Sequence, residues 1–343
     1  LAIDADDVVL ATGSRPLALP GNPFAGALID STQALELNTL PSSAVIIGAG
    51  AVALEFASLW NAAGCEVTLL IRKDRVLSTW ERRASMTLTR ELKRRGVNVI
   101  ARTAVDRVDT GANLGATVHY RQGDSDEDRT AYGEVVLAAI GRVPNTDADW
   151  FRSSGLKLDE RGYVTVDGYG RTNLDGVWAL GDITPGHALA HRAFEQGITI
   201  AEKIAGADPK PVIDDTVPQV VFSFPEAASV GLTLDQAKAR EDVVEPKETA
   251  YPMLSNARML MSGEGGSMTV VSGAFANNPD MQVVLGVHIV SPIASDLIAE
   301  AEQLVGNRVL LADAARLIHP HPTFSETLGE ALLKADGRPL HTR

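Results

Sequence analysis

Cysteine is nearly absent. Cys65 is the single one in 343 residues, which excludes an intrachain disulfide framework and points to a reducing, cytoplasmic setting. Aromatic residues make up only 5%, and positive charge is short: 31 Lys and Arg face 44 Asp and Glu, a formal net charge of −13. That balance argues against a nucleic-acid or anionic-membrane partner, although a basic pocket can exist locally. Long apolar runs are also missing. VWAL and VVLGVHIV are of strand length, far below the roughly 20 residues of a bilayer-spanning helix. The sequence opens LAIDADDVVLATGSRP, without Met, secretory or transit pattern, and reads as starting inside a strand. No metal site is indicated.

What is present, 45% apolar and 22% charged residues, suits a globular protein of two or three domains. The first informative stretch is LPSSAVIIGAGAVALEFASLWNAAGCEVTLLIRKDRVL, residues 40 to 77. Ala44 to Ile47 predicts a buried parallel strand. Gly48, Ala49 and Gly50 follow, then an amphipathic helix from about Ala51 to Ala63, a stop at Gly64, and a second strand from Val67 to Ile71. This is a βαβ dinucleotide unit whose helix N-terminus offers free N–H groups to a pyrophosphate. Ala53 takes the place of the third glycine. Ile71 stands where an acidic residue would hold the ribose hydroxyls, and Arg72 and Lys73 follow at once. A 2′-phosphate wants arginine there, so NADPH is favoured over NADH; Arg72, Lys73 and Arg75 would equally suit a solvated loop. Cys65, in the turn before the second strand, reads as a small buried hydrophobe.

A second sheet edge is written in TNLDGVWALGDITPGHALAHRAFEQG, residues 172 to 197. Val177 to Leu180 predicts a strand, Gly181-Asp182 puts a carboxylate at its carboxyl end, and a helix starts near Leu189. DVVLATGSRP and VVLAAIGRVPNT share an apolar strand, then Gly, then Arg and Pro; such a glycine lets backbone approach a cofactor, or simply turns a loop. Near the C-terminus, HPHPTFSE places Glu326 five residues after His321. A carboxylate orienting an imidazole makes an acid–base pair, while Thr323-Phe-Ser-Glu326 also fits a helix capping box. His319 reads as structural or supporting. Such a pair commonly serves a cysteine, and Cys65 lies in a different kind of segment. Elsewhere VVLGVHIV suggests a strand buried on both faces. Ile293, Leu297, Ile298, Ala301 and Leu304 recur at helical spacing, more often core than interface. Residues 123–133 predict an acidic hairpin tip, 206–215 a linker, and 263–268 a turn between strands.

ATGSRP, GAGAVALE, AIGRVPNT, GVWALGDIT, VPQVVFSFPEAASVG, VLGVHIVSPIASDLIAEAEQL and HPHPTFSETL occur in this order, and the whole chain resembles the flavin-dependent pyridine nucleotide-disulfide oxidoreductases. LAH at 189 to 191 and IASDLIAEAEQL are similar to the dihydrolipoamide dehydrogenase branch, IRKDRVL with Ala53 to the NADPH-using glutathione reductase branch. The resemblance implies an α/β fold with Rossmann-like FAD and NAD(P) domains and a C-terminal α+β dimerisation domain. It divides the chain into 1–40 and 143–213 (flavin), 41–142 (nicotinamide nucleotide) and 214–343 (interface). Cofactor-binding residues would be Thr12, Gly13, Ser14, Gly141 and Arg142 in the strand–glycine units. In the βαβ domain they would be Gly48, Ala49, Gly50, Ala51, Val52, Glu55, Ile71, Arg72, Lys73 and Val105, and at the second sheet edge Gly181, Asp182, Ala188, Leu189, Ala190 and His191.

The family's first flavin loop and its CxxxxC redox pair precede the strand where this sequence opens, so the chain is expected to be N-terminally truncated. His321 would be the general acid/base and Glu326 its orienting partner, reaching the partner subunit's active site in a homodimer. The implied function is dihydrolipoamide dehydrogenase, passing electrons between a small-molecule or carrier-bound dithiol and NAD(P) through FAD. An NADPH-dependent reductase of a small disulfide is the alternative. A fragment that only folds, binds nucleotide or dimerises is the third.

Overall fold

Ala44–Ile47 carries no polar residue because both of its faces are covered. The computed structural model describes residues 3–111 and 115–342. Strand Ser43–Ile47 sits at the centre of a five-stranded, fully parallel sheet, ordered Leu28–Ile29, Val135–Ala138, Ser43–Ile47, Glu66–Ile71, Asn98–Ala101. Ala44, Ile46, Leu69 and Ile71 face helices Ala51–Ala62 and Arg82–Arg94 through Leu54, Ala57, Trp60, Leu88 and Leu92. Val45, Ile47, Leu70 and Val136 face the other way, onto Val118 and Tyr120 of an antiparallel sheet of Thr103–Thr110, Ala116–Gln122 and Arg129–Gly133. Alternate side chains therefore enter two different cores, and each fully buried Leu or Ile contributes about 1.5–3 kcal/mol.

The same compact unit holds a second, antiparallel sheet. Its order is Gln219–Val221, Glu226–Gly231, Asn278–Ser291, Ser267–Phe275, Val243–Tyr251. VVLGVHIV is buried throughout its central strand, as its composition predicts. Helices Ala294–Gly306 and Glu326–Ala335 cover one face, with Leu297, Ile298, Ala301 and Leu304 inside that core. His288, buried in the central strand, donates from Nε2 to the Leu232 carbonyl (3.2 Å) and accepts at Nδ1 from Ser229 Oγ (2.7 Å). Burial lowers its pKa and keeps it neutral.

Residues 263–268 do not join two strands. They lead from helix Ala257–Ser262 into strand Ser267–Phe275, and Glu264 within them pairs with Arg94 and Arg95 of the nucleotide-fold helix. The acidic stretch 123–133 is a hairpin as expected, although 129–133 is already strand.

The other compact unit is Leu1–Leu17 with Gly141–Val217. In it Val8–Leu10 pairs in parallel with Val177–Ala179, and Ser14–Pro16 pairs antiparallel with Arg142–Pro144. Helix Ala190–Ile204 follows a short turn at Gly181–Ile183, over a small core of Phe151, Val164, Ala179 and Ile183. Pairing begins only at Val8; residues 3–7 are not strand, and the first two residues lie outside the described ones. The segment 18–40, grouped by sequence with 1–17, instead adds buried Leu28–Ile29 to the parallel sheet beside Val136 and Leu137. Among the described residues no helix is long and apolar enough to cross a membrane.

One position tests this packing. A Cβ on Gly286 would overlap the Leu232 carbonyl oxygen across the central strand. Gly286→Ala is expected to destabilise by about 2–4 kcal/mol, read as a lower urea midpoint with unchanged slope.

Candidate functional site

The βαβ turn is built by exclusion of side chains. Gly48 adopts φ +144°, and a Cβ there would overlap the Ala139 carbonyl oxygen and lie 3.3 Å from the Ala53 methyl. Ala53, at the third position of the fingerprint, is fully buried against this turn. Gly50 caps helix Ala51–Ala62 in extended conformation with no side-chain cap, and nothing lies within 4 Å of where its Cβ would be. Among the described residues the first-turn N–H groups at Ala51 and Val52 have no hydrogen-bond acceptor, so the residues present fit a pyrophosphate. The Ala49 carbonyl is already engaged, accepting Leu77 N–H at 2.9 Å.

Ile71 is fully buried at the end of its strand. Arg72 and Lys73 are exposed and form no hydrogen bond or ion pair from their side chains among the described residues. Arg75 differs from them: it binds Asp74 (2.9 Å) and the Ser78 carbonyl (3.1 Å). A further cation, Arg102, escaped the sequence reading. Ile71 and Ala101 are paired in register, so Arg72 and Arg102 leave neighbouring strands side by side. Arg102 N–H donates to the Lys73 carbonyl (3.0 Å) at φ +57°. Only the strand register reveals this. Glu55 and Val105 have structural partners: Glu55 Oε1 accepts Phe222 N–H at 2.9 Å, and Val105 packs on the core beneath the antiparallel sheet. Cys65 is buried as expected, and burial, with Glu134 and Glu66 nearby, pushes its thiol up to about 11.

In the other unit, Ser14 Oγ donates to Asp182 Oδ2 (2.5 Å), and Arg142 donates from Nε to Ser14 Oγ (2.6 Å) and from Nη2 to the Ser14 carbonyl (2.7 Å). Asp182 Oδ1 has no hydrogen bond among the described residues. Gly181 takes φ +71°, with its N–H held by Gln196 Oε1 (2.8 Å). Gly13 and Gly141 also take positive φ, and Thr12 exchanges hydrogen bonds with Asn145 (both 2.9 Å). Leu189 begins helix Ala190–Ile204 without a side-chain cap, and Ala188, Ala190 and His191 are exposed there. One free carboxylate oxygen beside an uncapped helix start is compatible with a hydroxylated chain and a polar ring edge, the ribityl and ring portion of FAD.

The C-terminal pair is formed. A carboxylate only accepts, so His321 Nδ1 carries the hydrogen donated to Glu326 Oε1 (2.8 Å), leaving Nε2 as the basic nitrogen of a side chain 72% exposed. Glu326 Oε2 simultaneously accepts Thr323 N–H (2.8 Å). The expected capping box is only half formed: the helix starts after Ser325, which makes no side-chain cap bond, and the Thr323 hydroxyl donates to the Pro320 carbonyl instead, so the carboxylate ties the imidazole to the turn before the helix. Burial pushes the Glu326 pKa up, but the Thr323 N–H, the bond and charge of His321 and the charge of His341 outweigh it, and the net direction is down. His319 has its own partner, Nε2 lying 2.9 Å from Glu300 Oε1. Gly329 makes room for it, since a Cβ there would overlap the His319 ring. Glu300 was not foreseen by sequence reasoning; a glycine in mid-helix was the available signal. No group of three metal-ligating side chains occurs among the described residues.

Against family models, residues 1–197 match pyridine nucleotide-disulphide oxidoreductase and residues 217–332 match the dimerisation domain of the same family. The chain belongs to this family. Dihydrolipoyl dehydrogenase of Cupriavidus necator is 36% identical over 342 residues, 99% of this chain and 70% of the relative. That of Geobacillus stearothermophilus is 37% identical over 341 residues, 98% of this chain and 69% of the relative. Among solved structures, LpdA from Mycobacterium tuberculosis superposes with TM-score 0.85 at 29% identity, covering 96% of this chain and 70% of that one. RclA, the HOCl-induced flavoprotein disulfide reductase of Escherichia coli, shares the fold with TM-score 0.84 at 23% identity, over 97% of this chain and 74% of that one.

As a pyridine nucleotide-disulphide oxidoreductase, the protein is an enzyme of a family that works with FAD and NAD(P), and it carries that family's dimerisation domain. Its His319–Glu300 pair has a pH signature. The hydrogen bond to Glu300 raises the His319 pKa against the lowering effect of burial. Stability from the pair is therefore full below the unfolded value of about 6.5 and is lost as pH rises through the raised folded value. His319→Gln should cost about 1–3 kcal/mol at pH 5.5, with the deficit shrinking towards alkaline pH in urea titrations; a constant deficit would contradict it.

Proposed function

We propose that the protein catalyses the dihydrolipoyl dehydrogenase reaction, passing electrons between a dithiol and a nicotinamide nucleotide. The observation that carries this reading is the exposed His321 imidazole, oriented by Glu326. It is supported by relatives named dihydrolipoyl dehydrogenase that align along nearly the whole chain. Oxidising a dithiol to a disulfide releases two electrons and two protons. A hydride's worth ends on the nicotinamide, and the remaining proton leaves through His321 Nε2, while Glu326 stabilises the imidazolium formed on the way. Bound FAD supplies the two-electron relay between thiol and nicotinamide. Asp182, Ser14 and Arg142 hold its polar chain in this reading, and Gly48, Gly50 and the helix start at Ala51 hold the nicotinamide nucleotide's pyrophosphate. Cys65, buried with a raised pKa, is unsuited to thiol exchange. Turnover therefore needs a cysteine pair in addition to these residues; without one the chain binds nucleotide and dimerises only. Residues 217–332 form the homodimer interface, and the cytoplasm is the proposed compartment.

A second reading, an NADPH-dependent reductase of a small disulfide, is favoured by buried Ile71 beside exposed Arg72 and Lys73, whose side chains are unpaired among the described residues, with Arg102 following the next strand. A 2′-phosphate would be held by charge-assisted bonds of about 1.5–3 kcal/mol.

Both readings are tested in the enzyme carrying its cysteine pair. His321→Gln is expected to slow the thiol half-reaction by about 10²- to 10⁴-fold, while single-turnover flavin reduction by the nicotinamide stays near wild type. Loss of both together would make His321 structural. Arg72→Glu is expected to raise the NADPH KM about tenfold or more and spare NADH. Equal effects on the two nucleotides would remove the second reading.

A further inference from the structure

Glu330 follows Glu326 by one turn of helix Glu326–Ala335, so the two carboxylates share a face and repel each other. Both are mostly buried, with side chains 18% and 10% exposed. Each has its own histidine. His321, from the loop before the helix, holds Glu326; His341, from the tail after it, holds Glu330. His341 Nδ1 lies 2.8 Å from Glu330 Oε1, and its backbone N–H donates to Oε2 at 3.2 Å. The tail is thus fastened twice to one carboxylate.

The surroundings single out His341. Tyr251, at the end of the strand packed against this helix, is 2% exposed. Burial, then Glu330 and Glu326, push its phenol up to about 12, so it adds no charge near neutral pH. His319 is committed to Glu300, and Arg258 lies over the Phe324 ring, 5.7 Å from its centroid. Lys334 is one turn further along the helix. Among the described residues only His341 is within hydrogen-bond distance of the Glu330 carboxylate.

We propose that His341 is a positioning residue for the His321–Glu326 pair, its protonated ring, held on Glu330 by two hydrogen bonds from one residue, offsetting that charge so that the His321 imidazole feels one carboxylate rather than two. The inference rests on His321 being the acid–base group. Removing His341 leaves a second negative charge one turn from Glu326, which favours the His321 imidazolium and moves its titration to higher pH. Removing the Glu330 charge moves it to lower pH.

The test follows ring signals of histidine-labelled protein by NMR across pH 5 to 9, the His321 signal being assigned by its loss in His321→Gln. His341→Gln should raise the His321 midpoint by roughly half a pH unit and Glu330→Gln lower it similarly, the size of one partly screened charge at this range. The double variant should return close to wild type, and His341→Lys, which carries a fixed positive charge, should stay there. Midpoints unmoved in both single variants, or moved the same way, overturn the proposal, as does His341→Lys behaving like His341→Gln. The pH profile of the thiol half-reaction, recorded in parallel, should follow the NMR midpoint. If it does not do so even in the wild type, the reading of His321 as acid–base group fails, while the midpoints still decide the role of His341.

Discussion

The end of this protein proposed to be reactive depends on one carboxylate having two oxygens. Glu326 spends Oε1 on the His321 ring and Oε2 on the Thr323 backbone, so the bond that fixes the imidazole's tautomer also fixes the turn that presents it. Thr323 is held further, its hydroxyl donating to the Pro320 carbonyl (2.7 Å) and its own carbonyl accepting from Asn256 Nδ2 (3.1 Å). An exposed histidine is normally free to sample rotamers and either tautomer. This one is confined to one donor geometry by a helix that is itself anchored in the core through Leu328, Ala331 and Leu332. Through a single side chain, rigidity is transmitted from apolar packing to the imidazole proposed to transfer protons.

The nucleotide end rests on a different economy of atoms. In the proposed site the working groups would be backbone N–H donors, and the sequence acts by withholding side chains. Gly48 leaves room for the Ala139 carbonyl, Gly50 leaves the helix start open, and Ala53 adds only a buried methyl. The parallel sheet makes this possible because Ala44–Ile47 is fixed from both faces, so the turn after it has a rigid base.

What the sequence made legible follows from the range of the interactions. The βαβ unit, the helix starts and the His321–Glu326 pair are set by residues within a few positions of one another, where periodicity and spacing speak directly. The strand Leu28–Ile29 was grouped with the wrong neighbours because two residues carry no period, and only the ladder to Val136 and Leu137 assigns them. Glu264 was hidden for a related reason: its partners Arg94 and Arg95 lie about 170 positions away. Glu300 and Glu330 were invisible as partners for histidines because a glutamate on an amphipathic helix looks solvated until the packing of that helix is known.

Arg102 shows the same limit together with its consequence for specificity. A formal charge of −13 describes the average surface and says little about a ligand within a few ångströms, since exposed charges beyond a Debye length of about 8–10 Å are largely screened. In the NADPH reading, a 2′-phosphate would meet the local set: Arg72 and Lys73 after one strand, Arg102 after the next, brought level by the Ile71–Ala101 register. Buried Ile71 leaves no carboxylate at that strand end to repel it, while Arg75 is drawn away by Asp74 and Ser78. Sequence spacing identifies the first two cations. The third is placed by sheet pairing, so in that reading the phosphate site would draw on two strands, only one of which carries the fingerprint.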